Sequence, residues 1–258
     1  MSPVVPVTTP EDLLRLTDEH PVAVLDVGTG LAGPGWAVDG GSGRAVVVPR
    51  RSDHGVPGAA ALGEAAGIDA LFADARVRDW FRDSGAQHLS APRDLYHLVE
   101  RHLDLGTRGG DWDWMWTRSA PPETPGEDRV VALGPDDRAE ATAFLTAHSP
   151  RTHGQPFARP GQRWLAVRDT DGALLAVGGS EPSEAGTPTL AGIAVATDRR
   201  RGGLGAAVTA ALAREAVASA GACALGMFAD NDAARRVYER LGFVTAMEWR
   251  SRWVDPPG

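Results

Sequence analysis

The chain has 258 residues, 43% of them hydrophobic and 23% charged, which suits a globular protein of one large domain or two of ordinary size. Its formal net charge of −8 argues against a general nucleic-acid binder, and no apolar stretch approaches the roughly 18–20 residues that cross a membrane. All 26 basic residues are arginine, so a Gly-Lys-Ser/Thr phosphate loop and a pyridoxal Schiff base are both excluded, and a lone Cys223 rules out an internal disulfide or thiol metal cluster.

The N-terminus, Met-Ser-Pro-Val-Val-Pro, lacks the charged start and apolar core of a secretion signal, so a cytoplasmic protein is expected. Pro10–Leu16 predicts a helix; Val22–Val27 and Ala45–Val48 predict strands separated by glycine-rich turns. Gly28-Thr-Gly30-Leu-Ala-Gly33 matches the dinucleotide fingerprint, which must open a helix. Pro34-Gly35 follows at once, so the segment reads as a hairpin loop. From Ile68 the order is helix (Asp69–Ser84), short strand (Gln87–Ser90), helix (Arg93–Leu103) and an extended segment at Trp112–Trp116.

Pro121, Pro122, Pro125 and Gly126 mark 121–127 as a linker, dividing the chain into domains at 1–120 and 128–258. Charge divides there too, with eleven arginines against eighteen acidic residues up to Thr124 and fifteen against sixteen beyond it. Past the linker come a strand (Arg129–Leu133), a helix (Asp136–Ala147), two strands (Arg163–Val167 and Leu174–Gly178) around the turn Asp169–Gly172, and a strand (Thr189–Val195). A helix follows whose Leu204, Val208, Ala211, Leu212 and Ala216 share one face. A strand (Ala222–Phe228), a helix capped at Asp230 or Asn231 and stopped at Gly242, and an extended segment (Phe243–Val254) complete the pattern. The fold class expected is α+β, an α/β sandwich with a mixed central sheet flanked by helices, preceded by a smaller α+β domain. Arg93–Leu103 echoes Asn231–Leu241. The echo is short, so a duplicated fold whose first copy is degenerate and an unrelated first domain both stand.

Residues 199–206, Arg-Arg-Arg-Gly-Gly-Leu-Gly-Ala, lie at a strand-to-helix junction. Glycine permits left-handed turns and removes the Cβ that would hold a ligand away. The first N–H groups of the helix have no intrahelical partner, and the helix dipole adds partial positive charge there. This is an anion cradle.

Two motifs in the expected order make residues from about 128 to 253 resemble the GNAT N-acetyltransferase superfamily. Arg200-Arg-Gly-Gly203-Leu-Gly205 matches its Arg/Gln-x-x-Gly-x-Gly/Ala pyrophosphate signature. Asn231-Asp-Ala-Ala-Arg-Arg-Val-Tyr238-Glu-Arg-Leu-Gly242-Phe243 matches its Asn-x-x-Ala-x-x-x-Tyr-x-x-x-Gly-Phe pattern. Thr197 stands where the family often has proline. Codon-linked Arg, Ala, Gly and Pro usage suggests a high-GC bacterial source, and the whole chain also resembles tandem GNAT proteins.

The resemblance implies acetyl-CoA as co-substrate, no metal, and a primary amine acceptor on a small molecule or peptide. Backbone N–H groups of Arg201, Gly202, Gly203, Leu204, Gly205 and Ala206 would hold the pyrophosphate, and Arg200, the first residue of the signature, belongs to the same CoA-binding set. Ile193, Ala194 and Val195 would flank the pantetheine arm, with the Val195 N–H at the thioester oxygen. Asn231 and Ala234 would contact CoA, and Tyr238 would protonate the departing thiolate. Transfer of another acyl group, acylation of a protein N-terminus and a non-catalytic CoA-binding module remain as alternatives. The general base is open, with Glu181, His148 and His153 as candidates. Cys223 reads as core. Trp112, Trp114 and Trp116 read as a packed strand face, with an acceptor-pocket lining as the sharper alternative.

Overall fold

The computed structural model describes residues 3–28, 31–40, 43–52 and 55–255. In chain order the elements are β1 (Val4–Val7), α1 (Pro10–Leu16), β2 (Gly35–Gly40), β3 (Gly43–Arg51), β4 (Pro57–Gly63), α2 (Ala65–Ala73), α3 (Ala75–Asp83), β5 (His88–Pro92), α4 (Tyr96–Glu100) and β6 (Gly109–Thr117). There follow β7 (Val130–Ala132), α5 (Arg138–His148), β8 (Arg163–Arg168), β9 (Leu174–Pro182), β10 (Pro188–Val195), α6 (Leu204–Ala220), β11 (Cys223–Phe228), α7 (Asp232–Arg240) and β12 (Val244–Trp253). They form two compact units. The first comprises Met1–Trp114, Phe228–Asp230 and Ala246–Gly258, the second Met115–Met227 and Asn231–Thr245.

In the first unit the strand order is β1-β2-β3-β4-β5-β12-β6. Trp249–Trp253 of β12 pair antiparallel with His88–Pro92 of β5, which is why the residues from Ala246 onward fall in this unit. β4 and β5 run parallel, with Ala59 opposite Leu89 and Ala60 opposite Ser90. Ile68, Leu71 and Phe72 of α2 pack with Val47, Ala59, Ala61 and Tyr96 in one core.

Two sequence expectations change here. The helix expected over Asp69–Ser84 is two helices, because Asp74 leaves the helical region (ψ 126°) and caps α3 by accepting the Arg76 N–H at 2.8 Å. The strand expected at Val22–Val27 is instead a buried π-helical turn over Ala23–Val27. Its apolar run lacks strand alternation, and the turn brings the Asp26 carboxylate to Arg50 Nε at 2.6 Å. Of the glycine-rich loop after it, Thr29 and Gly30 lie outside the described residues.

In the second unit the order is β11-β10-β9-β8-β7, with β10 and β11 parallel and the remaining pairs antiparallel. β8 shows why both faces carry helices. Leu165 and Val167 join the core under α6 and α7, while Trp164 and Ala166 join the core under α5. On α6, Leu204, Val208, Leu212 and Ala216 are buried at the expected spacing. Each fully buried Leu or Val side chain contributes about 1.5–3 kcal/mol against exposure. The Pro-rich segment after β6 is fastened to α6, since Arg214 donates to Pro121 O and Pro122 O at 2.8 and 3.0 Å and pairs with Glu127.

In chain order, the numbered elements from β1 to β6 read β-α-β-β-β-α-α-β-α-β and those from β7 to β12 read β-α-β-β-β-α-β-α-β, the extra helix arising from the break at Asp74.

Candidate active site

The register of β10 against β9 shifts between Ala191, opposite Gly179, and Ala194, opposite Val177. One extra residue on β10 makes a bulge at Gly192 and Ile193. Gly192 has φ +66°, and a Cβ there would meet Trp164 Cη2 at 2.7 Å. Gly154 closes the other side, its own virtual Cβ 2.6 Å from Gly192 Cα. Left-handed backbone and an indole in contact leave room for glycine alone.

The bulge decides where the backbone points. Ala196 N–H donates to Leu175 O at 2.9 Å, so by the two-residue alternation Ala194 and Ala196 turn their backbone groups toward β9. Ile193 and Val195 therefore turn theirs the other way, toward the β11 side. There the parallel register is limited, among the described residues, to Thr189 with Ala224 and Leu190 with Leu225. Beyond Leu190 the two strands part, and β10 presents the Ile193 and Val195 backbone to the opening.

The chain then winds through a 3-10 turn at Thr197–Arg199 into the Arg/Gly loop. Arg201 (φ +68°) and Gly203 (φ +82°) are left-handed, and Gly203 caps α6 with no side chain on its first N–H groups and no acidic residue in the first turn. The first intrahelical bond is Ala207 N–H to Gly203 O at 3.0 Å. Among the described residues, no partner is found for the N–H groups of Gly202, Gly203, Leu204, Gly205 or Ala206. Their directions and the helix dipole favour an anion. A Cβ at Gly205 would lie 3.2 Å from Val195 Cγ2, so the missing side chain lets α6 start against the end of β10. Loop and bulge are thus one structure. Arg200 Nη2 donates to His148 O at 2.7 Å.

Asn231 Oδ1 accepts the Ala234 N–H at 3.2 Å, so these two residues form the N-cap of α7. Two turns on, Tyr238 lies in the same apolar cluster against which Ile193 and Val195 pack, with its ring centroid 6.0 Å from that of Phe243. Burial pushes its phenol up to about 12, so it keeps its proton throughout the neutral range.

Two of the base candidates, Glu181 and His148, have hydrogen-bond partners on this unit. Arg159 Nη2 donates to both Glu181 oxygens at 2.6 Å and Gln162 Nε2 adds a third bond at 2.7 Å. His148 Nδ1 accepts the Thr197 N–H at 3.3 Å and meets Thr197 Oγ1 at 3.2 Å. His153 lies between α5 and β8. Trp112 stacks on Trp249 at 5.8 Å and donates to Ser251 Oγ at 2.8 Å, and Trp114 is fully buried, which is core packing. Burial pushes the Cys223 thiol up to about 12, removing its thiolate. No group of three His, Cys, Asp or Glu placed to hold a metal occurs among the described residues.

Sequence reading did not foresee the partnership of Trp164 with Gly154 and Gly192. A signal was present: Gly179 and Gly192 stand on facing strands beside one tryptophan, and a Cβ at Gly179 would meet that indole at 2.6 Å.

A bulged strand whose register with its parallel neighbour ends at Leu190 is followed by a glycine-rich helix start with open N–H donors, within an α+β fold. Residues 132–243 match the acetyltransferase (GNAT) family model. A mycothiol acetyltransferase of Nocardia farcinica (strain IFM 10152) is 34% identical over 145 residues, covering 55% of this chain and 45% of that protein. The chain thus spans less than half the length of this curated relative. Among solved structures, a GCN5-related N-acetyltransferase from Sphaerobacter thermophilus has a TM-score of 0.55 at 16% identity, covering 98% of this chain and 96% of its own. One from Kribbella flavida has a TM-score of 0.51 at 19% identity, covering 86% and 90%. These identities carry the fold alone. No helix among the described residues is long and apolar enough to cross a membrane.

Proposed function

We propose that the chain transfers an acetyl group from acetyl-CoA to a primary amine by direct attack on the thioester. The observation that carries this is the continuity of bulge and loop: outward Ile193 and Val195 backbone, then five N–H donors from Gly202 to Ala206. In this reading the parted edge of β10 pairs with the pantetheine amides as a strand would, and the loop N–H groups close on the pyrophosphate. Acetyl-CoA supplies an activated acyl carbon and a thiolate leaving group. Val195 N–H faces the oxygen on which negative charge develops, and a fixed donor there lowers the barrier because it needs no reorganisation. Tyr238 donates to the departing sulfur. A phenol near 12 is too weak an acid to ionise ahead of a thiol, so it stabilises the sulfur first as a hydrogen-bond donor and yields its proton as the C–S bond breaks. The acceptor loses its proton to water or to a group not on these elements.

The two halves of the chain are proposed as domains, with the first as a degenerate copy, on the strength of the element order shared by β1–β6 and β7–β12. Glu64 occupies the N-cap of α2 in the first unit, where α6 of the second has Gly203. A carboxylate at that helix start repels a phosphate, so one CoA per chain is expected.

The test is thiol release from acetyl-CoA across a panel of primary amines. Turnover that slows in Tyr238→Phe and disappears with CoA binding in Gly203→Glu supports the enzyme. CoA binding with no turnover on any amine would leave a binding module, and no CoA binding at all would end the reading.

A further inference from the structure

The turn between β10 and the Arg/Gly loop is gripped at both ends by one residue of α5. His148, the last residue of α5, meets it twice: its ring Nδ1 accepts the Thr197 N–H at 3.3 Å, and its carbonyl accepts Arg200 Nη2 at 2.7 Å. The Thr197 hydroxyl stands 3.2 Å from the same ring nitrogen. Phe144, one helical turn earlier, fixes the imidazole by ring contact at 4.6 Å between centroids.

Thr197 and Arg200 bracket the whole 3-10 turn, and Val195 and Gly202 lie just outside the bracket. A shift of this turn would move the strand end and the first open N–H donors together. The turn itself is short: its cap Ala196 makes no side-chain bond, Arg199 N–H closes it on Ala196 O at 2.8 Å, and the Ala196 N–H ties it back to Leu175 O at 2.9 Å. At the other end, a guanidinium on the final carbonyl of an eleven-residue helix satisfies an orphan acceptor and complements the negative end of its dipole. The clamp therefore serves both partners.

We infer that His148 is a positioning residue for the CoA loop, acting through Thr197 and Arg200, and that the first arginine of the motif works as a strut to α5 rather than as a phosphate ligand. The inference rests on the proposed CoA site. It assigns His148 to donor binding, on the loop side of Val195, in place of a role as base.

Three variants separate the hydrogen bond from the packing. His148→Phe keeps a ring against Phe144 and loses the acceptor. His148→Asn keeps an acceptor at the Nδ1 position and loses the ring. Arg200→Gln keeps a donor without charge. Titration with CoA is expected to show His148→Phe weakened by about 5–10-fold, near the worth of one hydrogen bond, with His148→Asn within about twofold of wild type. Arg200→Gln is expected to bind more tightly than Arg200→Ala. With saturating acetyl-CoA, kcat of His148→Phe stays within about twofold while KM rises, as a lost binding contact requires. Amide exchange at Thr197 should quicken in His148→Phe whether or not CoA is added.

Wild-type affinity in His148→Phe together with unchanged Thr197 exchange would overturn the inference and leave the CoA site standing. So would a kcat that collapses in both His148 variants, which is the mark of a base. Failure of the wild-type chain to bind CoA would remove both readings.

Discussion

Replacing Gly192 by alanine tests whether the bulge is built as described. A non-glycine residue at φ +66° costs about 1–2 kcal/mol against the right-handed region. The new methyl would lie 2.7 Å from Trp164 Cη2 and 3.1 Å from Cζ3, and Trp164 is only 1% exposed, with little room to retreat. Overpacking of that kind adds about 1–3 kcal/mol. Reduced freedom of the unfolded chain returns about 0.4–1 kcal/mol, so the net loss is roughly 2–4 kcal/mol. Gly186 (φ +81°) is the control, because no atom lies within 4 Å of its virtual Cβ and alanine there meets the backbone cost alone. Urea unfolding should give Gly192→Ala a loss clearly larger than Gly186→Ala, with part of the excess recovered in Gly192→Ala combined with Trp164→Phe. KM for acetyl-CoA should rise in Gly192→Ala only, since the Ile193 and Val195 backbone directions depend on the bulge. Equal losses in the two alanine variants, or an unaltered KM, would refute the reasoning.

Three further outcomes follow from burial. Tyr238→Phe should lower kcat by about 100-fold with CoA affinity unchanged, and, with the phenol held near 12, any alkaline limb of the wild-type pH–rate profile below about pH 10 should persist in the variant. His20 is held by burial below its ordinary value of 6.5 and accepts the Val22 N–H at 3.2 Å, so the folded chain binds a proton there less readily than the unfolded one. Its effect is absent at high pH, and stability falls as pH drops through 6.5 toward the folded value; unfolding free energies between pH 7.5 and 5 should show a shallower fall in His20→Gln. Native Cys223 should resist iodoacetamide for hours at pH 8 and react within minutes in urea, as mass spectrometry would record, because burial holds its thiol near 12.

The second unit was legible because its signals are local. Period-3.6 burial on α6, the Asn231 cap and the Gly242 stop each act over a few residues, and the Arg/Gly loop follows directly from its strand. The first unit hid its strands in composition. β4 reads Pro-Gly-Ala-Ala-Ala-Leu-Gly, a helix-forming run by propensity, yet Ala59 to Leu62 are buried in mid-sheet, where small residues let α2 approach. The fate of residues 246–255 was beyond sequence reasoning, since their place beside β5 rests on pairing across some 160 residues. At the site, residue types were readable and their engagements were not. Residue type alone does not reveal that Arg159 holds both Glu181 oxygens, nor that the Arg200 guanidinium reaches the His148 carbonyl.

The most direct test of the CoA site is calorimetric titration of the full chain with CoA. One site per chain is expected, lost in Gly203→Glu, where a carboxylate enters the loop beside five N–H donors. Two sites, or binding that survives Gly203→Glu, would contradict the assignment of the loop at 200–206.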